Sequence, residues 1–436
     1  MKLKVFALMM VVALASCNKD NETDEPEQNP LPEVITDKTT DTVSANLEVL
    51  PQNVGDDFTF NIVKQLNTAT EGNFLLSPIS VQLAFAMLTN GADGNSRQQL
   101  LSALGYGSKS IDELNNDCQK VIEGWKKLNS DYANWNEGSE GRYQQTIETA
   151  NAIWTDKRFP LFDEYIGLCN KYFDAEAATL DFSDKTNTLA TMNGWCNQKT
   201  HGMIPSMLDD DDISPETITV LANALYFKGS WAVPFIDNLT TKADFTNADG
   251  TVSQVDMMRQ VEDFSYVRTE KFAMAQLPYS GTTCMDIILP DNGVSVDQCI
   301  SELSQARFDT AREKMITRRL YVSLPKFDLN FNHNLVDIMK QLGAVDVFVP
   351  QIADLSKMGS GHADAFVSNA FQLSHITVEE SGTEAAAVTV IVVDKNAGPS
   401  METTPIEFNV NRPFAYVIRE TQTGAILFVG KVVKLN

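Results

Sequence analysis

The residues that could do chemistry are few and badly spaced for it. The four histidines, at 201, 333, 362 and 375, form no H-E-x-x-H, no H-x-x-H and no mixed Cys/His cluster, so no zinc-binding set stands at workable spacing. No G-x-S-x-G elbow, phosphate loop or G-x-G-x-x-G turn occurs. "SLPK", Ser323 to Lys326, does satisfy S-x-x-K, a pattern that works when the serine opens a helix and the lysine lies one turn along on the same face. Here the four residues fall in a strand pattern, Pro325 intervenes, and no K-T-G or S-D-N partner follows. The acidic run at 209–212 lacks the alternating ligand spacing of a calcium loop and reads as a solvated turn. Of the six cysteines, Cys17 stands apart near the N-terminus. Cys118, Cys169, Cys196, Cys284 and Cys299 are odd in number and without C-x-x-C, which points to buried free thiols. The sequence therefore offers no catalytic residue, no metal site and no cofactor site, and reads as something other than an enzyme.

The N-terminus leaves the folding problem early. Lys2 and Lys4 precede "VFALMMVVALAS", an apolar run short of the roughly 20 residues of a membrane span. It closes on "LASC", which resembles a bacterial lipoprotein signal. Residues 1–16 are then a signal peptide, Cys17 the lipidated first residue, and the expected location the bacterial cell envelope, at the outer membrane or cell surface. Residues 17–45 are acidic, Pro-rich and almost free of aromatics, a composition that cannot offset its ordering entropy and reads as a tether. The formal charge of −24 becomes −26 once Lys2 and Lys4 are removed (−24 − 2). Such a charge disfavours nucleic acid, heparin-like polyanions and anionic lipid surfaces, leaving the lipid anchor as the only membrane contact. No Pro/Gly/Ser linker or repeat divides 46–436, so it is read as one domain and a monomer.

Within that domain, "DDFTFNIVKQLNTA" spaces Phe58, Ile62 and Leu66 as an amphipathic helix. "SPISVQLAFAMLTNGA" starts on Ser77 as a cap with Pro78 at the first helical position, and stops at Gly91. "LFDEYIGLCNKYF" and "TLATMNGWCNQKTHG" are further helices. "ITVLANALYFKG", "MDIILPD", "RRLYVSLPKFDL", "AFVSNAFQLSHITVEE" and the pair "FAYVIRE" and "AILFVGKVV", joined by "TQTG", read as strands. Helices crowd the first half and strands the second, without βαβ alternation, which makes the class α+β. The polar stretch at 129–144 fits no assignment.

Several runs, in order from about Asp56 to the C-terminus, resemble the serpin family: "NFLLSPISVQLAFAMLTNGADGNSRQQLLSALG", "TMNGWCNQKTHGMIPSML", "LANALYFKGSWAVPF", "LPKFDLNFNHNLVDIMKQLGAVDVF" and "NRPFAYVIRE" with "GAILFVGKVV". The resemblance implies a large, mostly antiparallel central sheet with two smaller sheets, eight to nine helices, and an exposed reactive-centre loop at about 380–404. It also implies a protease inhibitor that traps serine endopeptidases, with cysteine enzymes as a further class. The target attacks the loop as substrate; the cleaved loop inserts as a new strand and carries the acyl-enzyme away before it can be hydrolysed. The implied partner is an elastase-, subtilisin- or trypsin-like enzyme in a covalent 1:1 complex. A non-inhibitory binding protein of the same fold is the competing expectation.

The loop begins in "EESGTEAAAVTVIVVDKN". Glu380, Gly382, Thr383, Glu384, Ala385, Ala386 and Ala387 match the family's hinge. The physical demand is independent of the family. A segment that slides between two strands needs a flexible pivot and small leading side chains, because a charge there would be buried unpaired. At period two, Thr383, Ala385, Ala387, Thr389, Ile391 and Val393 share one face, and Glu384 and Asp394 fall on the other. The first face is therefore expected inside. The family's usual spacing from the hinge glutamate, here Glu380, implies a reactive bond at Asn396–Ala397, with Lys395, Val393 and Val392 as alternatives, while counting back from "NRPF" gives sites nearer Pro399 to Glu402. By position in the family pattern, Lys326 pairs with Glu380, Trp231 marks the breach where insertion starts, and Ser77, Ser80 and Asn223 support the sheet where it parts. Gln372 stands where the family often has histidine.

Overall fold

The polypeptide was described from a computed structural model, which covers residues 58–136, 145–360, 365–383 and 404–436. The leader, Cys17, the tether and residues 384–403, including the nominal reactive bond, lie outside these residues, as does His362.

Ser77 caps a helix as its sequence predicts, its Oγ accepting from Ser80 N at 3.3 Å. The described helices are α1 (Phe58–Ala69), α2 (Pro78–Gly91), α3 (Gly94–Ala103), α4 (Ile111–Asn136), α5 (Asp163–Phe173), α6 (Lys185–Lys199), α7 (Val296–Glu302), α8 (Gln305–Glu313) and α9 (Val336–Gln341). α4 takes up 129–136 of the stretch the sequence left unassigned, which makes those residues the end of an amphipathic helix.

Fifteen strands accompany them among the described residues. They are β1 (Phe74–Leu76), β2 (Gln145–Asp156), β3 (Glu176–Leu180), β4 (Thr219–Ser230), β5 (Thr241–Thr246), β6 (Val252–Arg268), β7 (Phe272–Pro278), β8 (Thr283–Pro290), β9 (Ile316–Pro325), β10 (Phe327–Asn334), β11 (Asn369–Glu379), β12 (Gly382–Thr383), β13 (Ile406–Asn409), β14 (Phe414–Glu420) and β15 (Ile426–Val432). A six-stranded sheet runs β10-β11-β12-β4-β2-β3, and a nine-stranded path runs β1-β15-β14-β8-β7-β6-β9-β13 with β5 on β6. The long β6 bonds β5 at its start, β7 at its end and β9 along most of its length, so the two smaller sheets that the resemblance implies share this strand. The architecture is α+β, with the large, mostly antiparallel sheet that the resemblance implies.

One strand pattern divides. "RRLYVSLPKFDL" reads as a single strand, but Pro325 ends β9 in the nine-stranded sheet and Phe327 opens β10 at the edge of the six-stranded one. Proline carries no N–H for the ladder and fixes φ, so a strand can change sheets there, and Lys326 N donates instead to Asp256 O at 2.8 Å. Ser323 and Lys326 thus sit on a strand end and a crossover, not on one helical face. The acidic run closes a single turn in which Asp209 N donates to the Asp212 carboxylate at 2.8 Å. The five cysteines are free and buried.

The main core lies between the two sheets, with α2 buried along its whole length. A second apolar layer sits under α6, where Trp154 and Trp195 meet edge-on at 5.3 Å beside Phe371 and Leu373. Odd-numbered positions of β4 face the first core and even-numbered ones the second, as the period-two pleat requires.

Candidate functional site: a hinge seated in a parted sheet

The site is built on the seam between β4 and β11. These strands pair directly and in parallel over one end only, from Asn369↔Val220 to Leu373↔Ala224. At the other end the two-residue β12 lies between them, with Thr383 opposite Val378 of β11 and Gly229 of β4, and Gly382 opposite Glu379 and Ser230. The segment expected to start an exposed loop at 380 therefore begins inside the sheet, because Gly382 and Thr383 are both buried there. Between the two ends, 374–377 of β11 and 225–228 of β4 do not pair with each other.

Two glycines make the seat possible. A Cβ on Gly382, whose φ is +154°, would stand 2.2 Å from Gly229 O. A Cβ on Gly229 would meet Phe227 Cζ at 2.8 Å and Tyr279 Cδ1 at 3.0 Å. The inserted hinge and β4 thus approach closer than side chains allow. Thr383 faces inward, and its Oγ lies 2.6 Å from the Tyr279 hydroxyl.

The hinge backbone is held from several elements. Trp231 Nε1 donates to Glu379 O at 2.9 Å, Trp231 N to Ser381 O at 3.0 Å and Phe235 N to Glu380 O at 2.8 Å. Lys326 Nζ lies 2.8 Å from the Glu380 carboxylate and 4.0 Å from that of Glu379, and Thr240 Oγ1 donates to Glu380 at 2.8 Å. Burial raises the Glu380 carboxyl, but the Lys326 and Thr240 hydrogen bonds outweigh it and hold the group below the usual glutamate range. Burial acts on Lys326 in the opposite sense and is likewise outweighed, by Glu380, so its ammonium is held above the usual lysine value.

Further down, at the closed end, sits a buried polar cluster. Ser80 Oγ donates to Asn223 Oδ1 at 2.7 Å and Asn223 Nδ2 to Asn151 Oδ1 at 2.7 Å. Gln372 Nε2 donates to Ser77 O at 2.9 Å, and Ser77 N to Gln372 Oε1 at 3.3 Å. These bonds tie α2 to both strands of the seam. Gln372 thereby makes a two-way contact with the backbone of Ser77 without a titratable ring.

The structure thus gathers Glu380, Gly382, Thr383, Lys326 and Trp231 at one end of the seam, and Ser77, Ser80, Asn223 and Gln372 at the other. Glu384, Ala385, Ala386, Ala387 and every candidate for the reactive bond lie outside the described residues. Sequence reasoning missed Tyr279, Thr240, Phe235, Gly229 and Asn151. "LPYSG" carries no motif, and only its Ser-Gly turn could have flagged Tyr279 as a strand end.

A seam closed at one end, entered at the other by a glycine–threonine hinge and backed by the two-sheet core, defines the class. The chain belongs to the serpin family: the model for "Serpin (serine protease inhibitor)" matches residues 53–435. Human Serpin B11 is 30% identical over 386 residues, covering 86% of this chain and 97% of its own length. The leukocyte elastase inhibitor of Xenopus tropicalis is 32% identical over 386 residues, covering 86% and 96%. Among solved structures, the thermophilic serpin Tengpin in its native state aligns with a TM-score of 0.75 at 28% identity, over 89% of this chain and 96% of that one.

Proposed function

We propose that this chain inhibits endopeptidases of the serine class, and by the same route cysteine ones, by acting as a suicide substrate. The observation that carries the reading is the hinge itself: Gly382 and Thr383 already form a strand between β4 and β11. Continuing that register one residue at a time would bring Ala385 between Ile376 and Phe227, Thr389 between Gln372 and Asn223, and Val392 between Asn369 and Val220. Asn369 and Val220 are themselves paired across the closed end, so insertion needs no change of register, only separation. The inward face would be Thr383, Ala385, Ala387, Thr389, Ile391 and Val393, with Glu384 beside Lys228 on the outer face. The strand would run out near Val393, where β4 and β11 begin, and the Asn396–Ala397 bond lies just past that point.

In this mechanism the target's nucleophile attacks the carbonyl of Asn396, the amine of Ala397 leaves, and an ester or thioester joins the two proteins. Insertion of the released strand adds two ladders of backbone hydrogen bonds and buries the small inward face. The acyl-enzyme is drawn along the sheet before water can attack. No catalytic residue of this chain takes part. Support for the reading also comes from the likeness to an elastase inhibitor and from the ion pair at the breach.

The test is incubation with an elastase-like, a trypsin-like and an asparagine-specific protease. An SDS-resistant 1:1 complex with at least one is expected, and mass spectrometry of the released C-terminal peptide reads the bond. Cleavage by all three with no complex and no rise in melting temperature would point to the non-inhibitory reading. The chain is further inferred to be anchored to a bacterial envelope through lipid on Cys17, on the strength of "LASC". Loss of detergent-phase partitioning in Cys17→Ser checks this.

A further inference from the structure

We propose that Tyr279 is a positioning residue that latches the hinge in the sheet and sets the register of the inserting strand. This rests on the inhibitory reading for its purpose, but its geometry stands alone. Tyr279 follows β7 and is 2% exposed, and its hydroxyl lies 2.6 Å from that of Thr383, which is 1% exposed. The ring is held on both sides: it stacks on Trp231 at 4.4 Å with planes 7° apart, and meets Phe227 edge-on at 5.1 Å. Trp231 in turn binds the backbone of Glu379 and Ser381, so one aromatic stack fixes both the strand leading into the hinge and the hydroxyl beneath it.

The contact discriminates register. A slip of one residue turns every side chain of a strand to the opposite face. It would bring Gly382, which has no side chain, or Glu384, which carries a charge, over the Tyr279 hydroxyl. In the first slip the buried hydroxyl loses its partner, and in the second a charged carboxylate is carried into the core. Thr383 alone among these three satisfies Tyr279 and leaves Glu384 facing out. The vacancy at Gly229 belongs to the same device, because a Cβ there would press on the Tyr279 ring at 3.0 Å. Burial pushes the phenol well above its usual value, so it remains a neutral hydrogen-bonding group at any working pH.

The experiment is hydrogen–deuterium exchange on the purified chain, reading the hinge amides around 381–383 and, as controls, β4 and β7. Tyr279→Phe keeps the stack and removes only the hydroxyl; Thr383→Val removes the other partner at constant shape. Each is expected to speed hinge exchange by about fivefold to tenfold, the range of one net hydrogen bond, with β7 and the part of β4 before Gly229 and Ser230, which pair with the hinge, unchanged. The double variant should exchange no faster than either single one, and Thr383→Ser should behave as wild type. Hinge exchange in Tyr279→Phe equal to wild type would overturn the proposal. So would single effects that multiply in the double variant, or faster exchange spread across β4 and β7, since these mark general packing. Because no protease is used, a failed latch is distinguishable from a failed inhibitory mechanism, which the covalent-complex assay reads separately.

Discussion

Thr383→Arg puts the largest demand on the hinge. Thr383 is buried against Val378, Gly229 and the Tyr279 hydroxyl, a surface of backbone and aromatic carbon with a single hydroxyl. The nearby carboxylate of Glu380 is already engaged by Lys326 and Thr240. An arginine seated there would bury an uncompensated charge, a cost of about 3–5 kcal/mol. At 1.4 kcal/mol per factor of ten, that slows entry of the strand by roughly 10² to 10³·⁵ if the cost falls fully on the step that seats residue 383. Deacylation by water is untouched by the substitution, so the balance between trapping and turnover shifts by the same factor. The assay is titration of a susceptible protease, with products separated on denaturing gels. For Thr383→Arg, cleaved free chain should replace the covalent complex as the main product, and many equivalents should be consumed per enzyme silenced. The cleaved variant should also lack the gain in melting temperature expected of cleaved wild type. Complex yield and stoichiometry equal to wild type would refute the reasoning, since the charge would then be accommodated without leaving the seat.

Other outcomes follow from the same contacts. Gly382→Ala should expel the hinge, because its Cβ would fall 2.2 Å from Gly229 O; faster hinge amide exchange than in wild type checks it. Glu380 has a lowered folded value, so its contribution to stability is present above the ordinary glutamate value of 4.5 and is lost as pH falls through the lowered one. The melting-temperature gap between wild type and Glu380→Gln should accordingly be full at pH 6 and close towards pH 3. Arg419→Met should cost about 3–5 kcal/mol in denaturant unfolding, because it strands the fully buried Asp286 carboxylate that Arg419 Nε meets at 2.5 Å. Replacing Asp286 with Asn in that background should recover part of the loss.

Much of the molecule is legible locally. Ser77, Pro78 and Gly91 mark the ends of α2 because caps and stops act within a few residues. The odd, unspaced cysteines read as free thiols, and all five described ones are. The inward parity of Thr383 follows from the period of a strand and is the parity found at the seat. Where propensity was the only guide, the reading failed at changes of partner. "RRLYVSLPKFDL" is uniformly strand-like, yet it serves two sheets, since β propensity does not say which neighbour a strand will find. α4 carries a regular apolar stripe, Leu114, Cys118, Val121, Trp125, Leu128 and Tyr132, that only the polar run at 129–131 obscures.

By itself the sequence determined that this is an α+β chain of the serpin pattern, and that a glycine–threonine pair precedes a run of small and β-branched residues in which Glu384 and Asp394 share one parity. Those features are local in composition, spacing or period. Only the tertiary structure decided that the hinge already sits in the sheet, and that Tyr279, 104 residues away, meets Thr383. It alone shows that the seam between β4 and β11 stays paired at the Asn223 and Gln372 end. These contacts are set by loop closure and close packing between segments far apart in the chain, and no short-range signal carries that information.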